Sequence, residues 1–324
     1  MKAAVYDRTG GPEVLRYAEV PDPELRPDGV IIAVEAVGVQ GGDLLHRQSG
    51  EIPSAPHIVG YQAAGAVREV GERVEGLAVG QQVVATMFAG SHAELVSVPV
   101  ASVWPLPDGL SVQDAAAVPI EFATAHDCLF EFGHLRGAGR ETVLVQAGAG
   151  GVGLAAIQLA KAAGATVLAT ASSDERLERL RDYGLDHPIN YATGDVVREV
   201  MAITEGRGVD LVVDPVGGRV LESSVAALAY RGRISWVGRA GREEAAPDVW
   251  PLMTKNGTIT GVFLGLEMMM QPDRVHALVA ELLQRVAGGE LRVAIDRTFP
   301  LADAAEAHRY IESRQAFGRV LLIP

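Results

Sequence analysis

The chain has 324 residues, of which 48% are apolar, and its 41 acidic against 28 basic side chains leave a net charge of −13. The length suits two domains with sizeable cores, and the charge argues against nucleic acid and anionic membrane as partners, although one basic pocket could still hold a phosphate. A single cysteine, Cys128, excludes an internal disulfide and a cysteine-rich zinc site; no apolar run is long enough to span a bilayer, and "MKAAVYD" has no signal-peptide pattern, so a cytoplasmic protein is expected.

The first hundred residues carry short β-branched runs broken by glycine and proline. "VIIAVEAVGV", "AAGAVREVG", "QQVVATM" and "AELVSVP" predict a compact, largely β unit. From residue 111 the texture becomes helical in "SVQDAAAVPIEFATAHDCLFEFGHL", with Ser111 or Asp114 as the cap. From Thr142 to Gly261 apolar strands alternate with amphipathic helices. The strands are expected at 142–147, 166–171, 187–190, 209–214, 233–237 and 258–263. That alternation predicts a doubly wound parallel sheet with helices on both faces. A helix (273–287), a strand (291–299), a helix (302–313) and a strand (319–323) close the chain, and periodicity alone leaves open which sheet they join.

The most informative stretch is "VLVQAGAGGVGLAAIQLAKAAGATVLATASS", residues 143–173. Gly148, Gly150 and Gly153 fit G-x-G-x-x-G between a strand and a helix, the context in which the motif binds a dinucleotide. Gly148 is expected to make the tight turn, Gly150 to let a pyrophosphate approach, and Gly153 to let helix and strand pack closely. The helix start at Gly151 and Val152 offers free N–H groups to the phosphates. Against this stands a purely structural glycine turn.

About 20 residues beyond such glycines an acidic side chain usually meets the adenosine ribose. Here Ser172 and Ser173 stand in that place, followed by Arg176. Without a carboxylate, nothing repels a 2′-phosphate, and Arg176 supplies a cation for it. NADP(H) is therefore expected over NAD, with Asp174 and Glu175 weighing the other way. Ser172 with Glu175 also reads as a capping box, and both readings can hold together.

Together these segments resemble the zinc-independent quinone oxidoreductase branch of the medium-chain dehydrogenase/reductase superfamily. The resemblance runs nearly the whole length through "GGPEVLRYAEVPDPE", "GVQGGDLLHRQSG", "GYQAAGAVREVGERVEGLAVGQQVV", the glycine turn, "INY", "VDLVVDPVGG", "GRISWVG" and "PLADAAEAHRYIESRQAFGRVLLIP". It implies a GroES-like β-barrel substrate domain over 1–119 and 265–324, and a Rossmann dinucleotide domain over 120–264, with the cofactor in the cleft between them. It also implies a homodimer paired through the edge strand at 258–263. Zinc-dependent relatives carry a cysteine where this chain has Gln40 and a His-Glu pair where it has Tyr61-Gln62. Gln and Tyr are poor zinc ligands, so the resemblance implies zinc-free chemistry.

The reaction so implied is hydride transfer from NADPH to a small electron acceptor, a quinone or an activated alkene or carbonyl compound. Gln40, Asp43, Tyr61 and Thr124 are the implied residues at the reacting end. Tyr191, Ser172, Ser173 and Arg176 belong to the adenosine end. Val216, Gly217, Val237 and Gly238 line strand ends, Phe263 completes the cofactor positions, and Arg314 and Arg319 are candidate phosphate contacts. Arg319 reads equally as an exposed strand residue, and Tyr61 equally as a packed tyrosine or as a donor to a developing oxyanion. The branch usually has Asn at the place of Gln40, and its bacterial members often have Tyr at the place of Leu45. Two other functions stay open: an enoyl-thioester reductase, whose relatives carry a tyrosine near "RQSGEIP" that is missing here, and a dinucleotide-binding, crystallin-like protein without turnover.

Overall fold

The β-branched runs of the first hundred residues become seven strands, β1 (Lys2–Tyr6), β2 (Arg16–Glu19), β3 (Gly29–Gly38), β4 (His57–Ile58), β5 (Gln62–Val70), β6 (Gln82–Thr86) and β7 (Leu95–Pro99), and β8 (Val103–Pro105) follows. Helix α1 (Gly41–Ser49) lies between β3 and β4. The computed structural model describes residues 1–53, 55–136, 141–243 and 246–324. The chain divides into two units, Met1–Ile120 with Glu267–Pro324, and Glu121–Leu266. No described helix is long and apolar enough to cross a membrane.

The segment predicted helical from residue 111 is broken. Helix α2 (Val112–Ala115) is capped by Ser111, whose hydroxyl accepts the Asp114 N–H. Helix α3 (Pro119–His126) starts afresh at a proline, which fits a first turn but disfavours helix before it. A π-turn over Asp127–Glu131 ends the stretch.

The Glu121–Leu266 unit is built on β9 (Thr142–Val145), β10 (Thr166–Ala171), β11 (His187–Asn190), β12 (Val209–Asp214), β13 (Leu228–Trp236) and β14 (Thr258–Gly261). Between them run α4 (Gly151–Ala162), α5 (Asp174–Arg181), α6 (Val196–Ile203), α7 (Gly218–Ala227) and α8 (Pro251–Thr254). All adjacent strands pair in parallel, in the order β11-β10-β9-β12-β13-β14. The strand order reverses between β9 and β12, the switch point of a Rossmann sheet. Parallel strands covered on both faces need continuous apolar sequence, and "TVLV" and "VDLVVD" supply it. Leu144, Leu168, Val212 and Ile234, from four neighbouring strands, are at most 1% exposed. Each buried side chain of this kind contributes roughly 1.5–3 kcal/mol before conformational entropy is counted.

After α9 (Leu264–Met270) and α10 (Pro272–Ala287), strands β15 (Ile295–Pro300) and β16 (Arg319–Ile323), with α11 (Ala304–Glu312) between them, return to the first unit. Their sheet runs β15-β16-β3-β5-β6-β8, with β7 also paired to β3. Leu321 and Leu322 lie opposite Gly38 and Val37. The same core holds Val30, Ile32, Val67 and Val83 together with Leu301, Ala307 and Leu322.

Candidate functional site

In the Glu121–Leu266 unit the positions picked from sequence, apart from Thr124 in α3, follow the C-terminal ends of the parallel strands. β9 runs through Gln146 into the glycine turn. The left-handed residue there is Ala147, at φ +52°, and none of Gly148, Gly150 and Gly153 has positive φ. Gly148 is thus needed for space rather than for a turn angle. A Cβ on it would lie 2.9 Å from the Ala169 Cβ and 3.1 Å from Leu180 Cδ1. A Cβ on Gly153 would lie 2.4 Å from the Ala147 carbonyl oxygen, so α4 can press against the turn only with glycine here. Gly150 is different: it is exposed, and an added Cβ would meet only the Ala147 oxygen at 3.4 Å.

Gly150 caps α4, and its carbonyl accepts the Leu154 N–H at 2.8 Å. The N–H groups of Gly151, Val152 and Gly153 precede that bond, as in any first helical turn, and form the positive end of a 12-residue helix. Two glycines are locked by packing and one is left open on the outer side, at a helix start of the kind that can receive an anion.

Past β10, Ser172 is exposed and Ser173 half-buried. The expected capping box at Ser172 shifts by one residue: Ser173 is the cap of α5, and its Oγ accepts the Arg176 N–H at 3.4 Å. Glu175 therefore does not close a box, because the third helical residue is Arg176. Past β11, Tyr191 is half-exposed at 49% and donates its N–H to the Ala171 carbonyl, which sets it beside Ser172. Asp174, which weighed against a 2′-phosphate, is held by the Asn190 amide at 2.8 Å.

Past β12, Val216 and Gly217 form a turn on the Asp214 carboxylate, which accepts both their N–H groups, at 2.8 and 2.9 Å. Gly217 sits at φ +72°, where a side chain is strained. Asp214 escapes a glycine-motif reading, although an Asp two residues ahead of Val-Gly-Gly is an Asx-turn signal. Past β13, the Val237 N–H bonds the Asp214 carbonyl, and the Gly238 carbonyl accepts from the Trp236 indole at 2.7 Å. Phe263, two residues past β14, is 71% exposed. Thr124 is buried in α3.

In the other unit, Gln40, Asp43, Tyr61 and Arg319 come together around the start of α1. Gln40 is the helix cap, and its N–H bonds the Asp43 carboxylate at 2.7 Å. Tyr61 packs on the first turn, since a Cβ on Gly42 would lie 2.7 Å from its Cε2, and its ring meets His46 edge-on at 5.7 Å. Burial, then the nearby Asp43 carboxylate, then Tyr6 hold the Tyr61 pKa well above the usual tyrosine range. The exposed-strand reading of Arg319 is overturned: it is 9% exposed, and its guanidinium donates to the Val39 carbonyl beside Gln40. Arg314 is exposed, in a left-handed turn at φ +59°.

Gln62 is fully buried and committed to its own backbone: Nε2 donates to the Ala116 carbonyl at 2.8 Å, and Oε1 accepts the Ile120 N–H at 3.0 Å. Among the described residues no group of three or more His, Cys, Asp or Glu side chains is placed to hold a metal ion.

Comparison with known proteins gives concordant matches. Residues 151–284 match the family described as zinc-binding dehydrogenase, and residues 26–108 the alcohol dehydrogenase GroES-like domain. A quinone oxidoreductase of Pseudomonas aeruginosa is 34% identical over 319 residues, covering 97% of each chain. A 2-haloacrylate reductase of a Burkholderia species is 31% identical, covering 99% of this chain and 98% of its own. The crystal structure of Escherichia coli quinone oxidoreductase complexed with NADPH superposes over 100% of both chains with a TM-score of 0.94 at 28% identity.

Proposed function

The chain belongs to the quinone oxidoreductase branch of the medium-chain dehydrogenase/reductase superfamily, and on that premise we propose that it is an NADPH-dependent, zinc-free reductase of quinones or activated alkenes and carbonyl compounds. The observation that carries this reading is the cradle at Gly148–Gly153, closed by packing at its first and last glycines and open at Gly150. We assign coenzyme binding to the Glu121–Leu266 unit. The N–H groups of Gly151, Val152 and Gly153 hold the diphosphate. Ser172, Ser173 and Arg176 take the 2′-phosphate, and Tyr191 covers the adenosine. Val216, Gly217, Val237, Gly238 and Phe263 border the rest of the coenzyme, with Thr124 at its nicotinamide end. Arg314 and Arg319 stay as further phosphate candidates.

Bound there, the coenzyme supplies a hydride to the acceptor. The chain's part is to align, to exclude water and to handle one proton. Tyr61 stays protonated because burial and Asp43 disfavour its phenolate, so its hydroxyl can donate to oxygen that gains charge as the acceptor is reduced. Asp43 and Gln40 fix the helix start against which that ring packs, and Gln40 offers an amide from the same place. Zinc independence rests on donor chemistry. Gln40 and Tyr61 are weak ligands, and the Gln62 amide is already spent on Ala116 and Ile120. Cytoplasmic residence and a homodimer paired through β14, the outer strand of its sheet with Trp250 and Met253 exposed on the neighbouring segment, complete the proposal.

A steady-state assay tests it. NADPH oxidation with 1,2- or 1,4-quinones or with activated alkenes, but not with enoyl thioesters, is the expected outcome. Turnover with enoyl thioesters alone would move the chain to the thioester class. Coenzyme binding with no turnover across the panel would make it a binding protein.

A further inference from the structure

Beneath the glycine turn and the Val216–Gly217 turn, four buried polar side chains from four different elements form one continuous chain of hydrogen bonds. Gln146, Thr170, Asp214 and Ser224 are each at most 2% exposed. The Ala147 N–H is donated to Thr170 Oγ1 at 3.1 Å, and that hydroxyl donates to Gln146 Oε1 at 2.9 Å. Gln146 Nε2 donates to Ser224 Oγ at 3.2 Å, and Ser224 donates to Asp214 Oδ2 at 2.8 Å. The second oxygen, Asp214 Oδ1, accepts the N–H groups of Val216 and Gly217.

One arrangement of hydrogens satisfies all four side chains at once. The Ser224 hydroxyl has one proton and two acceptors in reach, the Asp214 carboxylate at 2.8 Å and the Val220 carbonyl at 2.9 Å; donated to Asp214, which accepts and does not donate, it satisfies the buried charge. Ser224 can then only accept from Gln146, which fixes that amide's orientation. Oε1 of Gln146 must in turn receive the Thr170 proton, leaving a Thr170 lone pair for Ala147. The chain therefore runs in one direction, from the left-handed residue that opens the glycine turn to the carboxylate that shapes the turn after β12. It crosses the point where the strand order reverses, and a break anywhere leaves buried groups unsatisfied on both sides.

We propose that Ser224, Gln146 and Thr170 are positioning residues that hold these two turns in one fixed relation for the coenzyme. This rests on the reading that the Glu121–Leu266 unit binds NADPH. None of the three needs to touch the ligand. They act through Ala147 and through the Asp214-bound N–H groups.

The test compares Thr170→Val, Thr170→Ser, Ser224→Ala and the double variant Thr170→Val/Ser224→Ala, measuring NADPH dissociation constants, Tm, KM and kcat. Thr170→Val keeps the shape and loses the hydroxyl. Its dissociation constant and KM for NADPH should rise roughly tenfold, as expected for an unsatisfied buried group, with kcat at saturating NADPH within about twofold of the parent. Thr170→Ser keeps the hydroxyl and loses a methyl, so it should lower Tm and leave NADPH binding unchanged. Ser224→Ala should match Thr170→Val. The double variant should bind about as poorly as either single one, because a chain broken once has little left to lose, whereas independent defects would multiply to roughly a hundredfold.

The proposal is overturned if Thr170→Val or Ser224→Ala loses Tm or kcat with an unchanged NADPH constant, or if the two effects multiply. If the unaltered protein fails to bind NADPH, the coenzyme reading falls and takes this role with it. If it binds and the variants bind equally well, only the positioning role falls.

Discussion

Replacing Gly150 by alanine separates ligand binding from folding in one substitution. The new methyl would meet only the Ala147 oxygen, at 3.4 Å, and the backbone at φ −85°, ψ 169° suits any L-residue. Glycine is the better helix cap by roughly 0.5–1 kcal/mol, but its removal from the unfolded chain returns about 0.4–1 kcal/mol. These nearly cancel, so Tm should move by less than about 4 °C for a chain of this size. The methyl would, however, stand on the open side of the cradle. NADPH should then bind at least about tenfold more weakly, a loss of about 1.4 kcal/mol. Gly153→Ala is the counterpart. Its Cβ would lie 2.4 Å from the Ala147 oxygen and 2.8 Å from Gly148 Cα, both backbone atoms that cannot swing aside. Overpacking of this kind costs roughly 1–3 kcal/mol, so Tm should fall by several degrees along with binding. Thermal melts and calorimetric titrations on the two variants read both quantities. Gly150→Ala binding NADPH as tightly as the parent at equal Tm would refute the cradle. Gly153→Ala melting with the parent would refute the packing argument.

Arg176→Ala should weaken NADPH by roughly 1–3 kcal/mol and leave NADH nearly unchanged; equal losses for the two coenzymes would remove the 2′-phosphate role. Chelation with 1,10-phenanthroline, followed by metal analysis, should leave activity intact and find no stoichiometric zinc; proportional loss of zinc and activity would contradict zinc-free chemistry. A third prediction concerns the buried pair His92 and His308, whose Nε2 atoms are 3.1 Å apart. Burial depresses the His92 pKa to about 3, and burial, then His92 and Arg47, hold His308 well below the usual histidine range. Ser91 Oγ also faces His92, at 3.4 Å. Above about pH 6.5 neither the folded nor the unfolded chain protonates the pair, so stability is fully present there. Below it, only the unfolded chain takes up the protons, and stability should fall by about 1.4 kcal/mol per pH unit for each histidine until the folded values are reached. Urea melts between pH 7 and pH 5 should show a shallower slope for His308→Phe than for the parent; an identical slope would place the acid sensitivity elsewhere.

The parallel sheet was open to reading from sequence because its strands are continuous apolar runs and its helices are periodic. Four of the six expected strands end within a residue of the observed ones, and 319–323 is matched at both ends. The misses have local causes. β13 begins at Leu228 rather than at 233, because Arg231, at φ +61°, bends the chain within a strand that still pairs on both sides of it. The cap of α5 moved from Ser172 to Ser173 because adjacent serines are equally good caps in sequence, and the end of β10 at Ala171 decides between them. Arg319 read equally as a phosphate contact or as an exposed residue at a strand start, and its burial, with the guanidinium on the Val39 carbonyl, comes from tertiary packing that sequence does not display. The Gln146–Thr170–Ser224–Asp214 chain brings together residues up to 78 positions apart, each an ordinary polar residue by itself. Its one advance sign is that Gln146 and Thr170 are polar at or beside the ends of otherwise apolar parallel strands.

The claim on which the rest depends is that the glycine turn after β9 binds a reduced nicotinamide coenzyme. Calorimetric titration of the unaltered protein with NADPH tests it most directly. The account predicts saturable binding of one coenzyme per chain, with a dissociation constant below about 1 mM. Absence of saturable heat with both NADPH and NADH at millimolar concentration would contradict it.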